Sequence, residues 1–291
     1  MDRPVAQLLV DARAEVGEGP VWDERTGLLC WVDILGGCIH VTDPAMGTDR
    51  ALDMPSFVGA IALRERRGLV ATLTDGIAAL DPVSGEVAML AAVQLPPGIR
   101  MNDAKVDPAG RLWFETMETD GAPGLGALHR LGPDLRPLTI IDGLAIPNGL
   151  DWSLDGRTMY FVESIERTVR SYPFDPDAGE LGRPDVLIRL GEDEGMPDGL
   201  TVDAEGCLWL AVWDGWAVRR YAPNGRLLEQ IDLPVSQVTC PGFGGPAMDQ
   251  LFVTTAHEGF AAGAMPDQPN AGGLYRVRAR VQGRAPNRFR G

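Results

Sequence analysis

The feature that most restricts this chain is a repeat. Six times, a turn pair dominated by glycine precedes a β-type apolar run: TGLLCWVD at Gly27, RGLVATL at Gly68, GRLWF at Gly110, GRTMYF at Gly156, GCLWLAV at Gly206 and DQLFVTT at Asp249. Successive copies lie 41, 42, 46, 50 and 43 residues apart. A period in the forties with short strands is what one four-stranded propeller blade requires, and six copies in 291 residues leave room for little else. The expected fold is therefore all-β: a single six-bladed β-propeller domain over residues 1–291. Residues 5–11 (VAQLLVD) read as a strand that completes the last blade and leaves no open edge. GLYRVRARV at 273–281 would supply its neighbours, and the polar, Arg-rich residues 282–291 are expected on the surface.

The same repeat locates candidate chemistry. Eight or nine residues before each turn lies a second marked point: Glu18 in GEGPVW, Gly59 in SFVGAIAL, Asn102 in RMNDAKVD, Asn148 in PNGLDW, Asp198 in PDGLTVD and Pro241 in CPGFGG. If these slots fall where the innermost strands begin, they ring one mouth of the central channel. Four carry side-chain oxygen and none is Lys or Arg, so the ring reads as a cation site. Glu18, Asn148 and Asp198 offer oxygen alone, which suits hard cations such as Ca²⁺, Mg²⁺ or Mn²⁺. His40, His129 and His257 occupy no equivalent slot, which argues against a histidine-built zinc site. Pro147 and Pro197, directly before Asn148 and Asp198, would restrain the ligand backbone; a plain Pro-Asx-Gly turn is the alternative.

Around the ring, Arg100 could pair with an acid or grip substrate oxygens in bidentate fashion. Trp213 and Trp216 could wall a pocket or simply fill core. Residues 118–126, rich in Gly, Ala and Pro, form either a lid or an ordinary long hairpin connection. Lys105 is the only lysine among 26 basic residues, with Asp103 or Asp107 as its expected partner. A net charge of −15 disfavours nucleic acid and anionic membrane surfaces as partners. The N-terminal residues have no signal-peptide pattern, and the four cysteines form no CxxC pair, so reduced thiols in a cytoplasmic protein are expected. No GxSxG, HExxH, Walker or dinucleotide motif is present.

GEGPVW, RMNDAKVDPAGRLWFETM, PNGLDWSLDGRTMYF, PDGLTVDAEGCLWLAVW and LPVSQVTCPGFGG with LFVTTA resemble the senescence marker protein / gluconolactonase / luciferin-regenerating enzyme family, from about residue 14 to 280. The resemblance implies a six-bladed propeller whose channel holds one divalent ion on Glu18, Asn148 and Asp198. Ca²⁺ is the first expectation, with Zn²⁺, Mn²⁺, Mg²⁺ or Fe²⁺ as alternatives. It implies substrate contacts at Arg100 and Asn102, with Asp120 at a position that is Glu in some members, and Asp198 as catalytic base. The implied activity is hydrolysis of a sugar lactone, a small-molecule substrate, by a monomer or weak homo-oligomer. Departures are Glu115 where the family usually has Gly, and Glu163 where Asp is common. A hydrolase of another ester or phosphotriester, or a non-catalytic calcium-binding propeller, are the competing readings.

Overall fold

The computed structural model describes residues 4–260 and 267–291. Six antiparallel sheets follow one another along the chain as the blades of a β-propeller. Their innermost strands are Gly17–Asp23, Val58–Leu63, Ile99–Val106, Pro147–Trp152, Met196–Val202 and Val238–Gly244. Burial explains the composition of these strands: VGAIAL and PNGLDW are buried at every residue, whereas an outer strand such as Thr48–Asp53 is mostly exposed. Blade 4 carries an additional short pairing, Glu180–Leu181, beside the strand Asp185–Arg189. That addition accounts for the 50-residue step between the fourth and fifth turns. The ring closes as expected, with Gln7–Val10 pairing Leu274–Arg278 as the outermost strand of the last blade.

In blades 3 and 5 the first turn is held by a buried aspartate. Asp107 accepts the Ala109 and Arg111 amides, the Trp113 indole N–H and the Arg111 guanidinium. Asp203 repeats this in blade 5, accepting from Glu205, Cys207, Trp209 and Arg220. VDPAGRLW and VDAEGCLW are thus one device used twice: the aspartate satisfies the tight turn while its indole donor anchors the second strand.

All six innermost strands carry one extra residue relative to their partners, at the same height in the blade. Asn148 opposes Val162 while Leu150 opposes Phe161; Pro197 opposes Val212 while Leu200 opposes Leu210. Such bulges bend a strand and re-aim its side chains. PNG and PDG accordingly lie within strands and are not turns. Gly149 and Gly199 are required by proximity: a Cβ on Gly149 would stand 2.4 Å from the Asp198 carbonyl oxygen, and one on Gly199 2.5 Å from Cys240 Sγ.

The C-terminal residues lie largely at the surface, as expected, but they are not a free tail. Residues 282–291 form a strap across the far mouth of the channel and touch every blade. Gly283 bonds Met248, and Gln282 accepts from Ala204; Arg284 pairs with Asp151 and donates to the Trp152 carbonyl. Asn287 donates to the Val106 carbonyl, Arg288 pairs with Glu24 at 2.5 Å, and Phe289 bonds Leu63 and Glu65 through its backbone. The Phe289 ring is fully buried between blades 2 and 3, among Ala62, Met101 and Phe114. Lys105 points toward this end and donates to the Leu200 carbonyl at 2.7 Å and to Asp151 at 3.3 Å. Its ion-pair partner is Asp151 rather than Asp103, which accepts the Ala104 amide, or Asp107, which Arg111 already occupies.

Candidate functional site

The bulges place Glu18, Asn102, Asn148 and Asp198 at one height in four blades, and all four line a cavity of about 520 Å³ at the near mouth of the channel. Arg100, Asp120 and Trp213 line it as well. The other two slots contribute nothing there. Gly59 has no side chain, and Pro241 lines a narrower cavity of about 80 Å³ at the opposite end, beside Lys105 and Arg284. In the last blade the extra residue falls between Val238 and Cys240, so Thr239 occupies the slot that spacing assigned to Pro241. Its hydroxyl donates to the Gly17 carbonyl and bonds Thr254.

The remaining walls come from segments that the slot pattern did not reach. Ile34, Thr119 to Gly121, Ser164, Trp213 and Glu258 all sit at the end of, or just after, the second strand of their blades. The position following each second strand was therefore a usable signal. Within 118–126, Thr119, Asp120 and Gly121 face the cavity, and Glu118 fixes their path by accepting the Asp120 and Ala122 amides. Trp216 is 42% exposed and does not line the cavity, which leaves Trp213 as the aromatic wall.

The polar groups are positioned by their neighbours. Glu18 accepts the Gly19 amide at 2.8 Å, and Asn148 accepts the Gly149 amide at 3.1 Å. Ser164 stands behind Asn148, donating to the Pro197 carbonyl at 2.8 Å while Asn148 Nδ2 reaches its oxygen at 3.4 Å. Asn102 donates to the Pro147 carbonyl at 2.9 Å and accepts from Arg100 Nη1 at 2.7 Å. Arg100 is buried, forms no ion pair among the described residues, and its Nε has no partner.

Electrostatically the mouth is crowded with negative charge. Burial, then Asp198 and Asp103, push the Glu18 carboxyl well above the ordinary range. Burial and Asp103 do the same to Asp198, with Asn148 and Arg100 opposing. Burial also pulls Arg100 down, against the pull of Glu258, Glu18 and Asp198. Among the described residues Glu18 and Asp198 have no ion-pair partner, and with the Asn148 amide in the same cavity they match the donor chemistry of a hard divalent cation, whose charge would offset both desolvation and mutual repulsion. Among the described residues, no three His, Cys, Asp or Glu side chains form a cation-holding group.

Glu115, the departure from the usual glycine, does not line the cavity. It is fully buried behind it, and neither carboxylate oxygen has a hydrogen-bond partner. Burial, then Asp103, Glu18 and Glu163, hold its carboxyl well above the ordinary range. Glu163 is differently placed, accepting the Ala145 and Ile146 amides.

Comparison with known proteins agrees with the motifs. A family profile described as the SMP-30/Gluconolactonase/LRE-like region matches residues 16–257. The candidate sugar lactone lactonase YvrE of Bacillus subtilis is 35% identical over 288 residues, covering 98% of this chain and 99% of that one. Regucalcin of Xenopus laevis is 35% identical over 293 residues, covering 98% of each. The crystal structure of a calcium-binding regucalcin from Agrobacterium tumefaciens superposes with a TM-score of 0.94 at 29% identity, over 99% of this chain and 98% of that one.

Proposed function

This chain belongs to the SMP-30/gluconolactonase/LRE-like family, and from that premise we propose that it is a metal-dependent hydrolase that opens a sugar lactone to the aldonic acid. The observation that supports this reading is the convergence of Glu18, Asn148 and Asp198 with Arg100 and Asn102 on one cavity. Glu18, Asn148 and Asp198 would hold one divalent ion, with Ca²⁺ the best match to an all-oxygen set. When bound, such an ion polarises a carbonyl oxygen and acidifies water. Asp198 then takes up, on its carboxylate, the proton released as water adds to the lactone carbonyl. Arg100, which lines the cavity, meets substrate hydroxyls there, and Asn102 holds Arg100 in that pose through the 2.7 Å contact. Asp120 meets hydroxyls from the rim, and Ile34, Met117 and Trp213 supply the apolar wall against the ring carbons.

The test is acid release from D-glucono-δ-lactone and a panel of aldonolactones. The protein is assayed as purified, after exhaustive chelation, and after return of Ca²⁺ or Mn²⁺. Loss on chelation and recovery on return is the expected result. Full turnover by verified metal-free protein would remove the metal from the proposal. Tight calcium binding without turnover of any lactone would favour a calcium-binding propeller, the reading that the calcium-binding Agrobacterium relative supports.

A further inference from the structure

Blade 1 carries a second constellation of reactive groups, on its outer strands and away from the channel. Cys38 and His40 stand two residues apart on the strand Cys38–Asp43, so their side chains share a face. Cys38 Sγ lies 3.5 Å from His40 Nε2, and His40 Nδ1 lies 2.6 Å from Asp49 Oδ2 on the neighbouring strand Thr48–Asp53. The Asp49 carboxylate accepts the Nδ1 proton, which turns Nε2 toward the thiol. Asp49 is itself positioned: the Thr42 hydroxyl donates to it at 2.5 Å, and Thr42 receives the Trp31 indole N–H at 3.0 Å. The Trp31 ring lies flat on the imidazole, centroids 3.9 Å apart and planes at 11°. An aromatic face in that position favours the imidazolium. Burial opposes the charge, but the hydrogen bonds to Asp49 and Cys38 outweigh it and raise His40 to about 9.

Two further carboxylates flank the thiol, because Asp33 and Asp53 are its cross-strand neighbours. Asp33 spends its oxygens on the amides of Glu15, Val16 and Gly36, and Asp53 is exposed to solvent. The imidazole is therefore the ionisable group in direct contact with the sulfur. Access differs among the cysteines as well. Cys30, Cys207 and Cys240 are buried, and burial pushes each thiol up, Cys30 to about 12. Cys38 is half-buried and follows Gly36 and Gly37, which carry no side chain to cover it.

We propose that Cys38, His40 and Asp49 form a reactive-thiol site at which a hydroperoxide oxidises Cys38 to the sulfenic acid. A nucleophile contacting a base that a third group orients is the arrangement that activates cysteine. His40 is held as the imidazolium with its Nε2–H facing the sulfur; solvent hydroxide takes the thiol proton, and the thiolate, stabilised by the imidazolium, attacks one peroxide oxygen. The S–O bond forms as the O–O bond breaks; sulfur loses two electrons and the peroxide gains them. The departing hydroxide or alkoxide takes the Nε2 proton and leaves as water or alcohol, and the imidazole then regains a proton from water, which replaces the hydroxide consumed at the start.

The experiment treats the full-length protein with substoichiometric hydrogen peroxide in the presence of a cyclic 1,3-dione that traps sulfenic acids. Each cysteine peptide is then quantified by mass spectrometry. Cys38 should carry the adduct at least about tenfold more than Cys207, and His40→Gln should bring it down to the Cys207 level. Asp49→Asn, which leaves the imidazole in place, should lower it by an intermediate factor and serves if His40→Gln does not fold. In the unmodified protein, initial alkylation of Cys38 by iodoacetamide at neutral pH should outpace that of an unstructured cysteine peptide. Labelling of Cys38 no faster than of that peptide, or unchanged labelling in a folded His40→Gln or Asp49→Asn variant, would overturn the proposal.

Discussion

At the scale of single residues, two buried carboxylates divide the chemistry near the channel mouth. Asp198 carries both proposed roles, ligand and proton acceptor. Asp198→Asn keeps its shape and one oxygen, so the propeller should fold and metal binding should weaken without vanishing. Turnover at saturating metal should fall by about 10² to 10⁴; near-normal turnover would remove Asp198 as base and point to Glu18. Glu115 makes no geometric hydrogen bond among the described residues, and burial with the surrounding carboxylates pushes its carboxyl well above the ordinary range, against the Asp103 backbone N–H. Below the ordinary glutamate value of 4.5, folded and unfolded chains both hold its proton. Above it the unfolded chain releases the proton while the folded chain retains it, so stability is lost as pH rises toward the raised folded value. Glu115→Gln abolishes that penalty, and its melting temperature relative to the parent protein should climb as pH rises above the ordinary value of 4.5. A difference that does not change with pH would show that Glu115 ionises normally. The glutamate was visible in ETM; its isolation depends on which side chains blades 3 and 4 bring against it, and no local pattern records that.

At the scale of elements, the innermost strands and their first turns were the most legible parts. Strand identity follows from short apolar runs between turn residues, and the glycine-dominated turns repeat with the blade. What spacing missed was register. One extra residue per innermost strand turns Glu18, Asn102, Asn148 and Asp198 toward the axis, and its place in the last blade moved the slot from Pro241 to Thr239. A bulge has no fixed sequence signature at such positions, since several residue types accommodate it. The turn aspartates give a prediction for the element. Asp203 is fully buried and serves two amides, the Trp209 indole and Arg220. Asp203→Ala strands all of these donors and should destabilise the protein by about 3–5 kcal/mol, read from chemical denaturation. A loss within about 0.5 kcal/mol would mean that solvent replaces the carboxylate.

At the scale of the whole molecule, two devices hold the ring. Gln7–Val10 closes the last blade, and the C-terminal strap ties all six blades across the far mouth. Phe289→Ala removes a fully buried ring and should cost about 3–5 kcal/mol. Removing residues 282–291 should cost at least as much, because the Arg284 pairing with Asp151 and the backbone bonds to Leu63 and Glu65 go with it. Metal affinity at the near mouth should hold as long as the truncated ring stays folded; thermal melts and metal titration on the same sample check both. A strap that can be removed with no change in melting temperature would be a surface appendage, as its Arg-rich composition first suggested. The sequence by itself determined the number of blades, the strand that closes them and four oxygen-bearing slots, because a repeat encodes each position locally and six times over. Only the tertiary structure decided the path of the strap, the pairing of Lys105 with Asp151, the solitude of Glu115 and the alignment of Cys38, His40 and Asp49. Those are settled by strand register and by packing between distant segments, where many partners are chemically acceptable and geometry selects one.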